Sequence, residues 1–323
     1  MQTFDTRSPI TGIQHYLRSK KWLRPEEQIA SIEKPGEGNM NVVLRIRTRE
    51  RSFVLKQSRP YVQKYQQIAA PLSRIRVEYE FYKAMQGGEA SEYLPKILGY
   101  DDSNHVMLLE DLGNCEDLTA IYNGRNIAIR KVEQLISILN QVHTKSSTML
   151  FPQNLEMRRL NHEHIFILPF LEDNGFSLDD VQPSLQQLAE PYKADSTLKK
   201  SIATIGQRYL SQGNTLLHGD YYPGSWMTEG NSLYVIDPEF SFMGFAEFDL
   251  GVMAAHLILA THENTYLDTV VKYYEGNVDR TLTSQIAGIE MMRRIIGLAQ
   301  LPLERTLDEK KSLLHMAHKM ISL

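Results

Sequence analysis

The sequence predicts an α+β chain of two unequal lobes: a small antiparallel-sheet lobe with one central helix, then a larger, mainly helical lobe. Three observations predict it. Period-two apolar alternation is concentrated in the first part of the chain. Helical periodicity dominates the remainder, with two short strands interrupting it. A length of 323 residues exceeds one ordinary domain and suits a two-part plan. The expected division is 1–112 and 113–323.

In chain order, Ile10, Ile13, Tyr16 and Leu17 share one helical face, and Pro25 limits that helix. From Ile29 the pattern becomes strand-like. Val42, Leu44 and Ile46 alternate, a polar turn covers Arg49 to Arg51, and Ser52 to Lys56 forms the return strand of a hairpin. Residues 74–86 read as a helix stopped by Gly87-Gly88. Residues 105–112 read as a buried strand entering a connector at Gly113-Asn114. Helices are expected at 127–143 and 196–212, then strands at 226–228 and 232–236 around Gly230-Asn231. Further helices are expected at 245–261, 265–274, 281–299 and 308–322. The apolar stripe of the last one (Leu313, Leu314, Met316, Ala317, Met320, Ile321) reads as core or as an interface, with core preferred.

Composition narrows the function classes. A chain that is 42% hydrophobic and 9% aromatic is globular, not disordered. A net charge of −4 argues against a nucleic-acid partner, which needs a basic surface. No run of 18 apolar residues exists, and the N-terminus lacks the apolar centre of a signal peptide, so the expected location is the cytoplasm, away from a membrane. The single cysteine, Cys115, cannot form an intrachain disulfide, which fits a reducing compartment.

Five segments carry chemistry. Gly36-Glu-Gly38-Asn39-Met-Asn41 opens the hairpin and reads either as a plain loop or as a loop whose backbone N–H groups approach a phosphate. Lys56 stands inside an apolar strand, either at a solvated edge or paired with nucleotide phosphates and a helix carboxylate. Glu78 and Glu80 are the candidate partners, and Glu78 is preferred because Val77, Phe81 and Met85 mark an apolar stripe beside it. His218-Gly-Asp220 followed by Ser225 has the D-x-x-x-x-N spacing of a kinase catalytic loop: Asp220 accepts the proton of an attacking hydroxyl, and Ser225 helps hold a metal. The apolar strand ending at Asp237-Pro-Glu239 is a turn when read alone. Read with Asp220, it places a carboxylate for Mg²⁺ at Asp237, with Glu239 assisting. Asp249 is expected to hold the catalytic loop by hydrogen bonds. Arg293 and Arg294 lie between apolar runs, either as one solvated residue and one ion pair, or as donors to a polar substrate. His162-Glu-His164 reads as a polar strand edge; no third ligand lies at zinc spacing, which disfavours a metal hydrolase.

These motifs resemble the aminoglycoside phosphotransferase and choline kinase superfamily, and within it the 5-methylthioribose kinase family, from Gly36 to about Gly297. The segments that carry the resemblance are Gly38-Asn39-Met-Asn41, Lys56-Gln-Ser-Arg-Pro-Tyr-Val62, Leu109-Glu110-Asp111-Leu112, Ser225, Asp237-Pro-Glu-Phe240 and Arg293-Arg294-Ile-Ile-Gly-Leu-Ala299. The catalytic loop departs from that family's H-G-D-L-H-T-G-S at Tyr221-Tyr222-Pro223. The resemblance implies a protein-kinase-like bilobal fold, with a nucleotide-binding lobe at 1–112 and a catalytic and acceptor-binding lobe at 113–323.

It further implies ATP and Mg²⁺ as cofactors. Gly36, Gly38, Asn39, Asn41, Lys56, Glu78 and the backbone of Glu110 to Leu112 would bind the nucleotide. Arg293 and Arg294 would grip a sugar-like acceptor with Asp220, and a homodimer is compatible with the family. Two alternatives stand beside this expectation: a kinase of the superfamily for another acceptor (an amino alcohol, another sugar, an aminoglycoside), and a non-catalytic nucleotide-binding module.

Overall fold

The computed structural model describes residues 1–36, 40–144 and 150–322. The chain forms two compact units: Met1–Cys115 with Glu229–Phe240, and Glu116–Thr228 with Ser241–Leu323. Along the chain the first unit carries α1 (Ile10–Ser19), β1 (Ile29–Glu33), β2 (Val42–Thr48), β3 (Ser52–Gln57), β4 (Tyr61–Val62), β5 (Tyr65–Ala69), α2 (Arg74–Met85), β6 (Ile97–Asp101) and β7 (Val106–Glu110). The second continues with β8 (Glu116–Asp117), α3 (Ile121–Gly124), α4 (Ile129–His143), α5 (Leu155–His162), α6 (Leu185–Ala194), α7 (Ser196–Leu210) and β9 (Thr215–Leu217). Then come β10 (Trp226–Glu229), β11 (Ser232–Val235) in the first unit, β12 (Phe242–Gly244), α8 (Glu247–Thr261), α9 (Thr265–Tyr273), α10 (Arg280–Ile296) and α11 (Leu307–Ile321).

The first unit is built on an antiparallel sheet in the order β1-β2-β3-β7-β6. Strand alternation puts Leu44, Ile46, Phe53, Leu55 and Leu108 on one face, packed with Ile13, Tyr16 and Leu17 of α1. Period two then turns Lys56, the neighbour of Leu55, to the opposite face. Because β3 is flanked by β2 and β7, Lys56 stands on an interior strand and not at an edge. Helix α1 stops at Ser19, short of the Leu23 that its apolar pattern suggests, because Lys21 takes a left-handed backbone (φ +59°).

The second unit is organised around α8, which is buried from Glu247 to Ala260. A helix apolar on every side belongs at the centre of a core. Helix α10 packs on α8, and α11 packs on α10. The stripe on α11 is core, with Leu313, Leu314, Ala317 and Ile321 buried. Helix α10 ends at Ile296, before the 299 that its pattern allows, and its C-cap is Gly297. Segment 162–164, expected as a strand edge, instead ends α5 and enters a π-helical turn, Glu163–Ile167, because the helical backbone continues through it. No helix among the described residues is long and apolar enough to cross a membrane.

Candidate active site

In the first unit a buried charge cluster forms under the sheet. Lys56 Nζ lies 2.7 Å from Glu78 Oε2 and 2.6 Å from Asp237 Oδ1. Of the two carboxylates on α2, Glu78 meets the lysine, while Glu80 lies with Lys83 on the outside. Burial works against the charge on Lys56, but Asp237, Glu78 and Glu239 outweigh it and hold its pKa above the usual lysine value. Burial pushes the Glu78 carboxyl up, against the pull of Lys56. Asp237 keeps about half of its side-chain surface exposed, and its backbone is left-handed (φ +63°), a conformation that aspartate tolerates better than most residues. The Tyr82 hydroxyl receives its N–H at 3.3 Å.

Arg74 closes the other side of this cluster. Fully buried at the start of α2, it donates Nε to Asn41 Oδ1 at 2.9 Å and an NH2 proton to the Met40 carbonyl at 2.9 Å. Asn41 in turn donates to Glu239 Oε2 at 2.8 Å and accepts from Ser58 Oγ at 3.0 Å. Asn41 and Glu239 are thus joined inside the unit. Burial pushes the Glu239 carboxyl up, with Lys56 and Arg74 pulling it down. Arg74 sits four residues before Glu78, on the same helical face, and that spacing was the available sequence signal for it.

Gly36 is exposed, while Gly38 and Asn39 lie outside the described residues. Glu110 ends β7, with its carboxylate near Lys96 N at 3.2 Å. The Leu112 carbonyl accepts from the Cys115 thiol at 3.0 Å.

In the second unit, Asp249 on α8 holds the loop that carries Asp220. Its Oδ2 accepts from His218 N at 2.7 Å and its Oδ1 from Gly219 N at 2.9 Å, the role expected from the sequence. His143 Nε2 lies 3.2 Å from the same carboxylate. Ser225 Oγ donates to the Asp220 carbonyl at 3.0 Å and closes the loop on itself.

Arg294 NH2 lies 3.9 Å from Asp220 Oδ1, and its guanidinium stacks over the Tyr222 ring at 5.0 Å. Both Arg293 and Arg294 are buried, so neither takes the solvated position that the sequence left open. Glu290 binds both: its Oε1 accepts from Arg294 Nε at 2.7 Å and its Oε2 from Arg293 Nε. Burial disfavours charge on Glu290, but Arg293 and Arg294 outweigh it and hold the carboxyl well below its usual range.

Behind the pair, Glu290 Oε1 faces His256 Nε2 at 3.0 Å, and His256 Nδ1 faces the Tyr122 hydroxyl at 2.6 Å. An ionised carboxylate can only accept, so Nε2 carries the imidazole proton and Nδ1 accepts from Tyr122. Burial, with help from Arg294 and Arg293, lowers the His256 pKa to about 4, so the ring is neutral. Glu290, His256 and Tyr122 are functional candidates that the motifs did not single out.

Charges arranged to neutralise and position, without a covalent step asked of the protein, suit an enzyme that moves a phosphoryl group. The chain belongs to the phosphotransferase enzyme family (APH), whose profile matches residues 31–283. Methylthioribose kinases of Bacillus cereus (strain ZK / E33L) and Bacillus thuringiensis (strain Al Hakam) are each 25% identical over 337 residues, covering 90% of this chain and 84% of theirs. Choline kinase LicA from Streptococcus pneumoniae shares the fold at TM-score 0.53 and 15% identity, over 97% of this chain and 98% of that one. So does the spectinomycin phosphotransferase APH(9)-Ia, solved with ADP and spectinomycin, at TM-score 0.54 and 14% identity, over 98% and 100%. The expected kinase-like α+β fold and the small-molecule kinase class therefore stand.

Proposed function

We propose that the chain transfers the γ-phosphoryl group of ATP to a hydroxyl of a small, sugar-like molecule. Asp220 accepts the hydroxyl proton, the acceptor oxygen bonds to the γ-phosphorus, and ADP leaves with the electrons of the broken P–O bond. Arg294, and Arg293 beside it, donate hydrogen bonds to acceptor oxygens, in a geometry fixed by Glu290. Lys56, paired with Glu78, contacts the nucleotide phosphates; the loop from Gly36 to Asn41 covers them, and the backbone of Glu110 to Leu112 holds adenine.

Among the described residues no three metal-ligating side chains converge. A Mg²⁺ ion that arrives with a nucleotide needs only one or two protein carboxylates, so the half-exposed Asp237 fits, with Glu239 beside it. When bound, that ion supplies charge neutralisation at the phosphate oxygens. Ser225 we assign to shaping the catalytic loop, through its bond to the Asp220 carbonyl.

The observation that carries this reading is Asp220, on a loop held by Asp249, 3.9 Å from a buried arginine. Methylthioribose, the acceptor named by the relatives, is the first acceptor to try. A buried arginine pair disfavours cationic acceptors such as choline. Asp220→Ala is expected to abolish ADP release with methylthioribose, while Mg-ATP still raises the melting temperature of the variant. Undiminished turnover by that variant would overturn the assignment, and no thermal shift of the wild type at millimolar Mg-ATP would favour a non-catalytic role.

A further inference from the structure

A cavity of about 220 Å³ opens in the second unit beside Arg294. At ~30 Å³ per water this is room for about seven waters, or for a short charged substituent. Its wall is cationic: Arg294 is joined there by Arg305 and Lys310, with Gln182, Leu301 and Glu304 completing much of the rest.

Lys310, in the first turn of α11, is only 5% exposed. Among the described residues no carboxylate forms an ion pair with it. Its neighbour Glu309 is committed to Arg125 at 2.6 Å and to the helix cap at Thr306. Glu304 is exposed, where water screens its charge. Burial without a counter-charge lowers the Lys310 pKa. One further donor of the wall, Arg305 Nε, is buried without a hydrogen-bond partner. Arg305 directs its other nitrogens at the carbonyls of Leu259, Ala260 and Glu304. A lysine side chain packed this deeply, with no carboxylate paired to it, gains from a ligand that brings the opposite charge to its ammonium.

We infer that this cavity is an anion subsite that receives a carboxylate or phosphate group carried by the acceptor. The inference rests on the proposed function and narrows it. Arg294 borders both Asp220 and the cavity, so one small molecule can place a hydroxyl at the first and an anionic substituent in the second. Acceptors of that class are then preferred over a neutral sugar.

The test is calorimetric titration of the full chain with ribose 5-phosphate against ribose, and with glucuronate against glucose. The anionic member of at least one pair is expected to bind tenfold or more tightly, and which pair does so tells phosphate from carboxylate. Lys310→Met should bring that pair to parity, while Lys310→Arg keeps the difference. Melting temperatures of both variants establish that they fold. Equal binding within both pairs, a preference that survives in Lys310→Met, or inorganic phosphate binding as tightly as ribose 5-phosphate would each overturn the subsite. Turnover of neutral acceptors by the wild type reads the proposed function separately. Turnover without anion preference overturns the subsite alone, and anion preference without turnover of any acceptor overturns the kinase reading alone.

Discussion

His256 shows how one buried side chain can tie stability to pH. Its ring passes a hydrogen-bond chain from Tyr122 to Glu290 and so to Arg294. Protonating it would put a third cation beside Arg293 and Arg294 and would displace the proton that Tyr122 donates to Nδ1. With a folded pKa of about 4 against 6.5 for an ordinary histidine, the ring is neutral in the native state and stability is full above pH 6.5. That contribution, about 3 kcal/mol at most, is lost as pH falls through 4. Urea midpoints measured between pH 7 and 4 should therefore fall more steeply for the wild type than for His256→Gln; equal slopes would remove His256 from the account. At this scale the sequence was partly legible. The partner of the arginine pair was in plain view, since Glu290 precedes Arg293 and Arg294 by three and four residues, the spacing of neighbours on a helix. Tyr122 and His256 are 134 residues apart, and no local pattern pairs them. The departure at Tyr221-Tyr222-Pro223 also splits in two. Tyr221 is fully buried and donates to the Leu135 carbonyl at 2.8 Å, a core role, whereas Tyr222 is the residue that meets Arg294.

Elements were legible where one face is apolar and the period is clean. The β2–β3 hairpin and α2 follow from their patterns, and with them the meeting of Lys56 and Glu78. Elements without such a pattern went unread. Strand β6 is interrupted by Gly99, which packs under Trp22, and carries an exposed Leu98. Helix α6 contains Pro191, and α5 is largely polar with only Met157 and Arg158 buried. The packing of α8 on α10 depends on a close approach that periodicity does not reveal. A Cβ added at Gly251 would come within 2.7 Å of Ile286 Cβ and 2.9 Å of the Thr283 carbonyl. Neither atom is the end of a flexible side chain, so the helices must separate. Gly251→Ala is expected to destabilise by about 1–3 kcal/mol, as overpacking typically does. Its urea midpoint should drop accordingly, and an unchanged midpoint would show that α8 and α10 can shift freely.

For the whole molecule, a strand-rich beginning and a helix-rich remainder were enough to assign the class of fold. The composition of each compact unit was not readable, because units are defined by contacts and not by order along the chain. Segment Glu229–Phe240 belongs with the first unit, and two of its three carboxylates find partners far upstream: Asp237 meets Lys56 across 181 residues and Glu239 meets Asn41 across 198. A chain ended at residue 240 should thus protect the amides of β3 and α2 from hydrogen exchange better than one ended at residue 228. Equal protection would show that the segment adds nothing to the first unit.

That return segment gives biosynthesis a definite order. Residues 1–115 leave the ribosome first, yet the counter-charges for Lys56 and Arg74 that lie on residues 229–240 are still to be translated. At about 5–20 residues per second, the 113 residues from Glu116 to Thr228 impose a delay of roughly 6–23 s. Through that interval the five strands of the sheet are all present, but Lys56 and Arg74 wait for Asp237 and Glu239, which arrive only after much of the second unit has been made.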